Sequence, residues 1–426
     1  MQSKVSDDLK RRGLVNQITS EKVYDLIDNG DATAYIGFDP TAASLHLGNL
    51  IQLLLLRRLQ LGGNRPIVVA GGGTAMVGDP SGRSSERSLL DDEAIEYNLA
   101  KVGRQLEAYL DFSGGPKSAI LVNNRDWLEK ISFISFLRDP GKFVTVNQML
   151  AKDSVSSRIS SEHGISFTEF TYMLMQAYDF GQLSDSYGCN MQLGGSDQWG
   201  NITVGIDYIS KSRGREVYGI TTPLLTKSDG TKFGKSVGGA IYLDSELTSQ
   251  YEFYQFFLRS DDSDIEKLLK VFTFYSLNEI DEIVRSSIES PEKRIGQYAL
   301  ARSITEFIHG KEGLELAVAA SEALFADDIA SVEPNALRMA LSGAPRSTIS
   351  RSRLKDGATI LEVAIESGLV PSRSEGRKLI KAGGLYLTGS RIADEDTVVT
   401  LKDQLSIGAL LLRKGKSNYL VVDLTD

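Results

Sequence analysis

Residues 65–73 read Arg-Pro-Ile-Val-Val-Ala-Gly-Gly-Gly, an apolar run that ends in three glycines. An apolar run without polar alternation predicts a strand covered on both faces, the signature of a parallel sheet packed between helices. The flanking segments fit the same architecture. Ala32–Asp39 reads as a strand, and Thr41–Gln60 carries apolar residues at helical spacing behind it. Ser118–Asn124 is a further apolar strand. Strands alternating with helices predict an α/β fold, with a ligand crevice at the carboxyl ends of the strands. Asp39–Asn49 and Gly71–Arg87 would fall there.

From Thr248 to about Leu341 the pattern turns helical, with apolar residues three and four apart in four successive segments. Residues 342–357 combine Gly, Pro, Ser and basic residues without periodicity and read as a linker, followed by a small C-terminal unit. The division expected is 1–247, 248–345, a linker at 346–357, and 358–426. A chain of 426 residues suits two or three domains, and 41% hydrophobic with 24% charged residues is an ordinary globular composition.

Several classes are excluded. The only cysteine is Cys189, and the histidines are His46, His163 and His309, so the chain holds no disulfide framework and no Cys/His zinc site. The opening residues carry charges without an apolar run and do not read as a secretory signal. Leu50–Leu56 is far short of the ~20 residues of a membrane helix. A reducing cytoplasm, with no membrane partner, is the expected location. Net charge is −9, but from Arg351 onward 12 Lys/Arg face 10 Asp/Glu, leaving −11 for the rest. A mildly basic tail on an acidic body permits contact with phosphates.

Three segments carry candidate chemistry. Thr41, His46, Gly48 and Asn49 stand at a strand-to-helix junction, where unpaired amides favour phosphate. Taken alone, an ordinary helix start with a capping histidine is the simpler reading. Gly71–Gly82 has the spacing G-x-G-x-x-x-x-G, which is not the dinucleotide fingerprint; alone it is a glycine turn, with Arg83 and Arg87 beyond it. Lys227–Ser236 places three residues between Gly230 and Gly234, one short of a phosphate-binding P-loop. Its lysines suit a clamp on a polyphosphate as well as a solvated loop.

Together these segments resemble a family. His46-Leu47-Gly48-Asn49 resembles the His-Ile-Gly-His signature of class I aminoacyl-tRNA synthetases, and Lys232-Phe233-Gly234-Lys235-Ser236 their Lys-Met-Ser-Lys-Ser signature. Tyr35–Thr41, Phe167–Tyr172, Gln176–Asp179 and Gln192–Asn201 resemble the bacterial tyrosyl-tRNA synthetases in order and spacing. Asn49 departs from the second signature histidine; its amide can donate one hydrogen bond but supplies no imidazolium charge. The fold implied is an α/β Rossmann-like catalytic domain, then an α-helical domain, then a small α+β domain of S4 type. The activity implied is activation of L-tyrosine by ATP and its transfer to tRNA(Tyr).

The resemblance also implies residue roles. Tyr35 and Asp179 would hold the substrate phenol, Asp79, Tyr172 and Gln176 its ammonium, and Gln192 would line the same pocket. ATP would lie on Asp39, Gly48 and Asn49, its ribose near Gly195, Asp197 and Gln198. Thr41 and His46 would meet the γ-phosphate, and Arg83, Arg87, Lys232 and Lys235 the pyrophosphate. Magnesium would accompany ATP without a dedicated protein site. Arg373, Arg377, Lys378 and Lys381 on one helix, with Arg413 and Lys414, would contact tRNA. A homodimer is implied, with Ile131–Leu150, including Phe133, Phe136 and Phe143, as the candidate interface. A tryptophan enzyme of the same architecture, or a non-catalytic RNA-binding relative, would share much of this pattern. Tyr35 with Asp179 argues against the first, and His46, Lys232 and Lys235 against the second.

Overall fold

The computed structural model describes residues 4–81, 90–160, 164–226, 228, 230–231, 233–236, 239–323, 329–342, 344–415 and 418–426, with the side chains of 235, 236 and 330 excluded. The chain packs as two compact units, one of 1–248 with 259–308, the other of 249–258 with 309–426.

The first unit is built on a six-stranded sheet. Its strands are β1 (Gln17–Ile18), β2 (Thr33–Phe38), β3 (Arg65–Ala70), β4 (Ile120–Asn123), β5 (Met191–Gly195) and β6 (Tyr218–Thr222), in the order β1-β6-β5-β2-β3-β4. β1 runs antiparallel to β6, and the other five strands are parallel. The expected strand at 65–70 is there and buried from Pro66 to Ala70. The chain moves outward from β2 through β3 to β4, then returns to fill the other side with β5 and β6. The order therefore reverses between β2 and β5, where Tyr35 lies opposite Gln192. Crevices in open α/β sheets form outside the strand ends at such a reversal.

The Leu47–Leu61 helix follows β2 and begins later than the apolar pattern suggests, at His46. Seven of its leucines are buried, which matches a helix enclosed on most sides. The Phe167–Tyr187 helix is fixed at its start by a buried ion pair. Arg158 donates to Glu169 at 3.1 and 2.6 Å, with both side chains almost inaccessible. Short strands β7 (Lys235–Ser236) and β8 (Gly239–Ala240) pair antiparallel. Helices Ile265–Phe272 and Leu277–Glu289, with the first part of the Ile295–Ala323 helix, make up this unit's share of the helical region.

The second unit contains β9 (Arg346–Ser350), β10 (Ala358–Thr359), β11 (Leu385–Leu387), β12 (Ser390–Arg391), β13 (Val398–Val399), β14 (Ala409–Lys414) and β15 (Asn418–Thr425). Five of them form a sheet in the order β12-β11-β14-β15-β9. The expected linker at 346–357 is therefore corrected. Residues 346–350 are a sheet strand parallel to β15, and Arg351–Lys355 is a helix capped by Ser350. Ladder hydrogen bonds and the burial of Ile349 and Leu354 override a composition that lacks periodicity. The helix Ile295–Ala323 is interrupted at Gly310 (φ 71°, ψ 177°), next to the boundary between the units. The division into units thus cuts through the helical region expected as one piece.

Removing one partner of a buried pair leaves an uncompensated charge, which costs about 3–5 kcal/mol. Arg158→Met is expected to lower unfolding stability by about that amount in denaturant melts; a loss under ~1 kcal/mol would mean that Glu169 is not isolated from water.

Candidate active site

Three chain segments meet at the carboxyl ends of β2, β3 and β4. Asp39 follows β2, and its Oδ1 accepts from the Thr74 hydroxyl at 2.7 Å. Its Oδ2 accepts from the Tyr172 hydroxyl at 3.0 Å. The glycine loop after β3 makes this approach possible. A Cβ on Gly71 would sit 2.1 Å from Asp39 Oδ1, and one on Gly72 would sit 2.5 Å from Asn123 Oδ1. Asn124, beyond β4, accepts from Gly73 N–H at 2.8 Å and donates to Thr74 at 3.0 Å and to Asp179 at 2.9 Å. Trp127 Nε1 donates to the other oxygen of Asp179 at 2.7 Å.

Asp179 is 3% exposed. Burial pushes its carboxyl up to about 7, against the pull of the Asn124 and Trp127 hydrogen bonds. Beside it, the Tyr35 hydroxyl is buried without a hydrogen-bond partner among the described residues. Burial and the Asp179 charge hold that phenol well above the usual tyrosine range. Tyr35 packs on Phe180, with ring centroids 5.1 Å apart. Gln192 Oε1 is likewise buried and without a partner among the described residues. Buried polar atoms normally find partners, so two unsatisfied groups beside a buried carboxyl suit a polar ligand.

A second network lies alongside. Asp79 Oδ2 accepts from Gln198 at 2.7 Å. Gln198 accepts from Gln176 at 3.3 Å, and Gln176 accepts from Asn201 at 2.9 Å. The expected group of Asp79, Tyr172 and Gln176 is therefore divided between two sets of hydrogen bonds, with Tyr172 on Asp39. Gly195 needs its missing side chain, because a Cβ there would sit 2.5 Å from Asp197 Oδ1. Asp197 is exposed.

His46 caps the Leu47–Leu61 helix. Its Nδ1 accepts from Gly48 N–H at 3.0 Å, which leaves the proton on Nε2. A Cβ on Gly48 would come within 2.8 Å of this ring. Asn49 accepts from His46 N–H at 3.1 Å, completing a capping box. This explains the asparagine structurally: an amide oxygen fills the role. Thr41 stands in the preceding loop, which Asn98 holds through the Pro40 carbonyl at 3.0 Å.

The two signature segments are joined through the backbone. Leu47 N–H donates to Ile241 O at 3.0 Å, and Leu243 N–H donates to Leu45 O at 2.8 Å. His46 and Tyr242 form an antiparallel bridge between these bonds. Gly234 (φ 96°) faces Leu47, where an added Cβ would lie 3.2 Å from the leucine Cβ. Arg83, Arg87 and Lys232 lie outside the described residues, as does the Lys235 side chain. Among the described residues, no group of three His, Cys, Asp or Glu side chains could hold a metal ion.

In the second unit, the expected RNA-facing helix is Arg373–Lys381, leading through Gly383 (φ 67°) to β11. Arg373 pairs with Glu362 at 3.4 Å, Arg377 with Glu395, and Lys414 with Glu375 at 3.1 Å. Lys378 and Lys381 are exposed. Arg413 lies over the Tyr386 ring at 3.8 Å. Exposed ion pairs contribute little, so the paired cations can exchange carboxylates for phosphates.

Comparison with known proteins accords with these two sets of features. Residues 28–326 match the model of the tRNA synthetases class I (W and Y), and residues 337–422 match the tyrosine–tRNA ligase SYY-like C-terminal domain. A tyrosine–tRNA ligase of Roseiflexus castenholzii is 46% identical over 421 residues, 99% of each chain. The chain belongs to the class I tRNA synthetases, in the tyrosine–tRNA ligase family. The C-terminally truncated mitochondrial tyrosyl-tRNA synthetase of Aspergillus nidulans is 33% identical, with a TM-score of 0.66 over 76% of this chain and 95% of that one. A tryptophanyl-tRNA synthetase of Encephalitozoon cuniculi shares the fold at 17% identity and TM-score 0.54, over 72% of this chain and 87% of that one. No helix among the described residues is long and apolar enough to cross a membrane.

Asn124, Trp127, Thr74 and Asn201 were not singled out from sequence. Asn124 and Trp127 follow the Ser118–Asn124 strand at its carboxyl end, a position that could have marked them.

The Asp179 carboxyl changes charge against the Trp127 indole. Below about pH 7 it is protonated, and above it ionised. Tryptophan fluorescence is expected to titrate with a midpoint near 7, and Asp179→Asn to remove that step. A flat profile from pH 5 to 9 would contradict the shifted carboxyl.

Proposed function

We propose that this site activates L-tyrosine with ATP and that the chain then transfers the tyrosyl group to the 3′ end of tRNA(Tyr). The observation that carries the substrate assignment is the unpaired, buried Tyr35 hydroxyl beside Asp179. A substrate phenol donates to the Asp179 carboxylate and accepts from Tyr35, so all three groups are paired. Phenylalanine leaves the Tyr35 hydroxyl desolvated and unpaired and brings Asp179 no further donor beyond Asn124 and Trp127, the costly case for a buried hydroxyl. Tyr172, Gln176 and Asp79 take the ammonium end, with Gln192 closing the pocket.

In activation, a tyrosine carboxylate oxygen attacks the α-phosphorus of ATP. The bond from that phosphorus to the bridging oxygen breaks, and pyrophosphate leaves with its electron pair. The attacking group is already anionic, so the chemistry asks for positioning and charge stabilisation rather than a general base. We assign His46 Nε2–H, Thr41 and the helix start around Gly48 to the phosphates, with Asn49, Gly195, Asp197 and Gln198 on the nucleoside side. Arg83, Arg87, Lys232 and Lys235 carry the family's role at the pyrophosphate. Magnesium would arrive with ATP and offset phosphate charge, without a dedicated protein site. In transfer, a terminal ribose hydroxyl attacks the acyl carbon and AMP leaves.

The second unit takes the tRNA through Lys378, Lys381, the exchangeable cations Arg373, Arg377 and Lys414, and Arg413. We assign a homodimer on the surface at 131–150, where Phe133, Ile134, Leu137, Val146 and Leu150 are exposed. Contiguous exposed apolar side chains mark association surfaces. Phe136 and Phe143 pack inward against the core instead. A cytoplasmic location accompanies this activity.

Single-turnover formation of tyrosyl-adenylate tests the assignment. His46→Ala is expected to slow the step by ~10²-fold with little change in tyrosine affinity, as for loss of one donor to developing charge. An unchanged rate would remove His46 from the mechanism.

A further inference from the structure

The helix Ile265–Phe272 holds the flanks of the Lys232–Ser236 signature at one end and is itself clamped at the other. At its start, Asp264 Oδ2 accepts from Ser228 N–H at 3.2 Å and from the Ser228 hydroxyl at 3.4 Å. Asp264 is buried. Lys267 Nζ donates to the Thr226 carbonyl at 2.6 Å. At the helix end, Phe272 meets Phe233 with ring centroids 5.4 Å apart. Residues 226, 228 and 233 are therefore held by one short helix.

The carbonyls closing that helix have no partners further along it. Arg12 supplies one, for Lys270, and also binds the carbonyls of Thr273 and Tyr275 just beyond the helix. Its guanidinium donates to Lys270 O at 3.1 Å, Thr273 O at 3.4 Å and Tyr275 O at 2.6 Å. Arg58 also donates to Thr273 O and lies over the Phe274 ring at 4.7 Å. Asp8 accepts from Arg12 Nε at 2.8 Å and faces Arg58 at 3.8 Å. Arg12 is 5% and Arg58 7% exposed. Arg58 belongs to the Leu47–Leu61 helix, whose first turn is capped by His46.

We infer that Arg12, with Asp8 and Arg58, is a positioning residue for the reaction, setting Thr226, Ser228 and Phe233 against the His46 helix through the Ile265–Phe272 helix. Two guanidinium groups sharing one carboxylate make an expensive core, where apolar side chains would pack at least as stably. Their forked donors, however, fix a helix end in register with a second helix, which apolar contacts do not specify. Because Arg58 and His46 stand on one rigid helix, the node ties both signature segments to a common frame. The inference rests on the reading that these segments serve the phosphates of ATP.

The test uses the full chain, with active sites titrated by adenylate formation so that only folded enzyme is counted. Arg12→Lys keeps a charge beside Asp8 and loses the fork. Lys267→Met cuts the exposed anchor on Thr226 and leaves the core alone. Each is expected to lower the single-turnover rate by about 10-fold and raise the KM for ATP, with tyrosine affinity unchanged. The double variant is expected to be no slower than the slower single one, because both act on one helix. Wild-type rates per titrated site in Arg12→Lys would overturn the inference and leave Arg12 a purely structural residue. So would a double-variant loss equal to the product of the single losses. Wild-type protein that activates no amino acid would overturn the reading of the site and this inference with it.

Discussion

A carboxyl group placed where water cannot reach must find its partners in the protein. Asp179 finds Asn124 and Trp127, and even so burial pushes it up to about 7. Asn124 in turn holds Thr74 and the Gly73 amide, and Thr74 holds Asp39, which holds Tyr172. One hydrogen-bonded chain thus runs from the turn after β2, through the glycine loop and the end of β4, into the Phe167–Tyr187 helix. The glycines at 71 and 72 are required because side chains there would occupy the space of Asp39 and Asn123. Sheet topology places this chain at the reversal between β2 and β5, where Tyr35 and Gln192 stand side by side. Networks of this kind hold a single geometry, because any member left unpaired in a low dielectric is costly.

The side proposed to take the phosphates is organised differently, through the main chain. The His46 turn is hydrogen-bonded on both sides to the segment 241–243, and Gly234 packs against Leu47. Relative placement there depends on backbone pairing and on the helix 265–272 beneath it, rather than on contacts between the signature side chains. The proposed recognition pocket is fixed by side chains and the proposed phosphate region by backbone, which is consistent with a reaction in which position contributes more than proton transfer.

Much of the first unit was legible because its signals are local. The unalternated run at 66–70 could only be an enclosed strand, and Tyr172, Gln176 and Asp179 lie three and four apart on one helix. The capping role of His46 was also readable, and it places the ring proton on Nε2. Asn49 was not readable: its value as the capping-box acceptor depends on the backbone turn, whereas motif comparison registers only a missing histidine. The linker at 346–357 misled because β9 is defined by its partner β15, some 75 residues later in the chain. The same holds for Asn124 and Trp127, whose importance lies in reaching Asp179, and for Arg12, whose partners begin at Lys270. Pairings of long sequence separation leave no periodic trace.

The central claim is that a phenol completes the pairing of Tyr35 and Asp179. Amino-acid-dependent exchange of labelled pyrophosphate into ATP, with tyrosine, tryptophan and phenylalanine supplied in turn, tests it without requiring a matched tRNA. The account predicts exchange with tyrosine, little with phenylalanine, and none with tryptophan. Exchange supported equally by phenylalanine would contradict it, since the two buried hydroxyl-binding groups would then contribute nothing to selection.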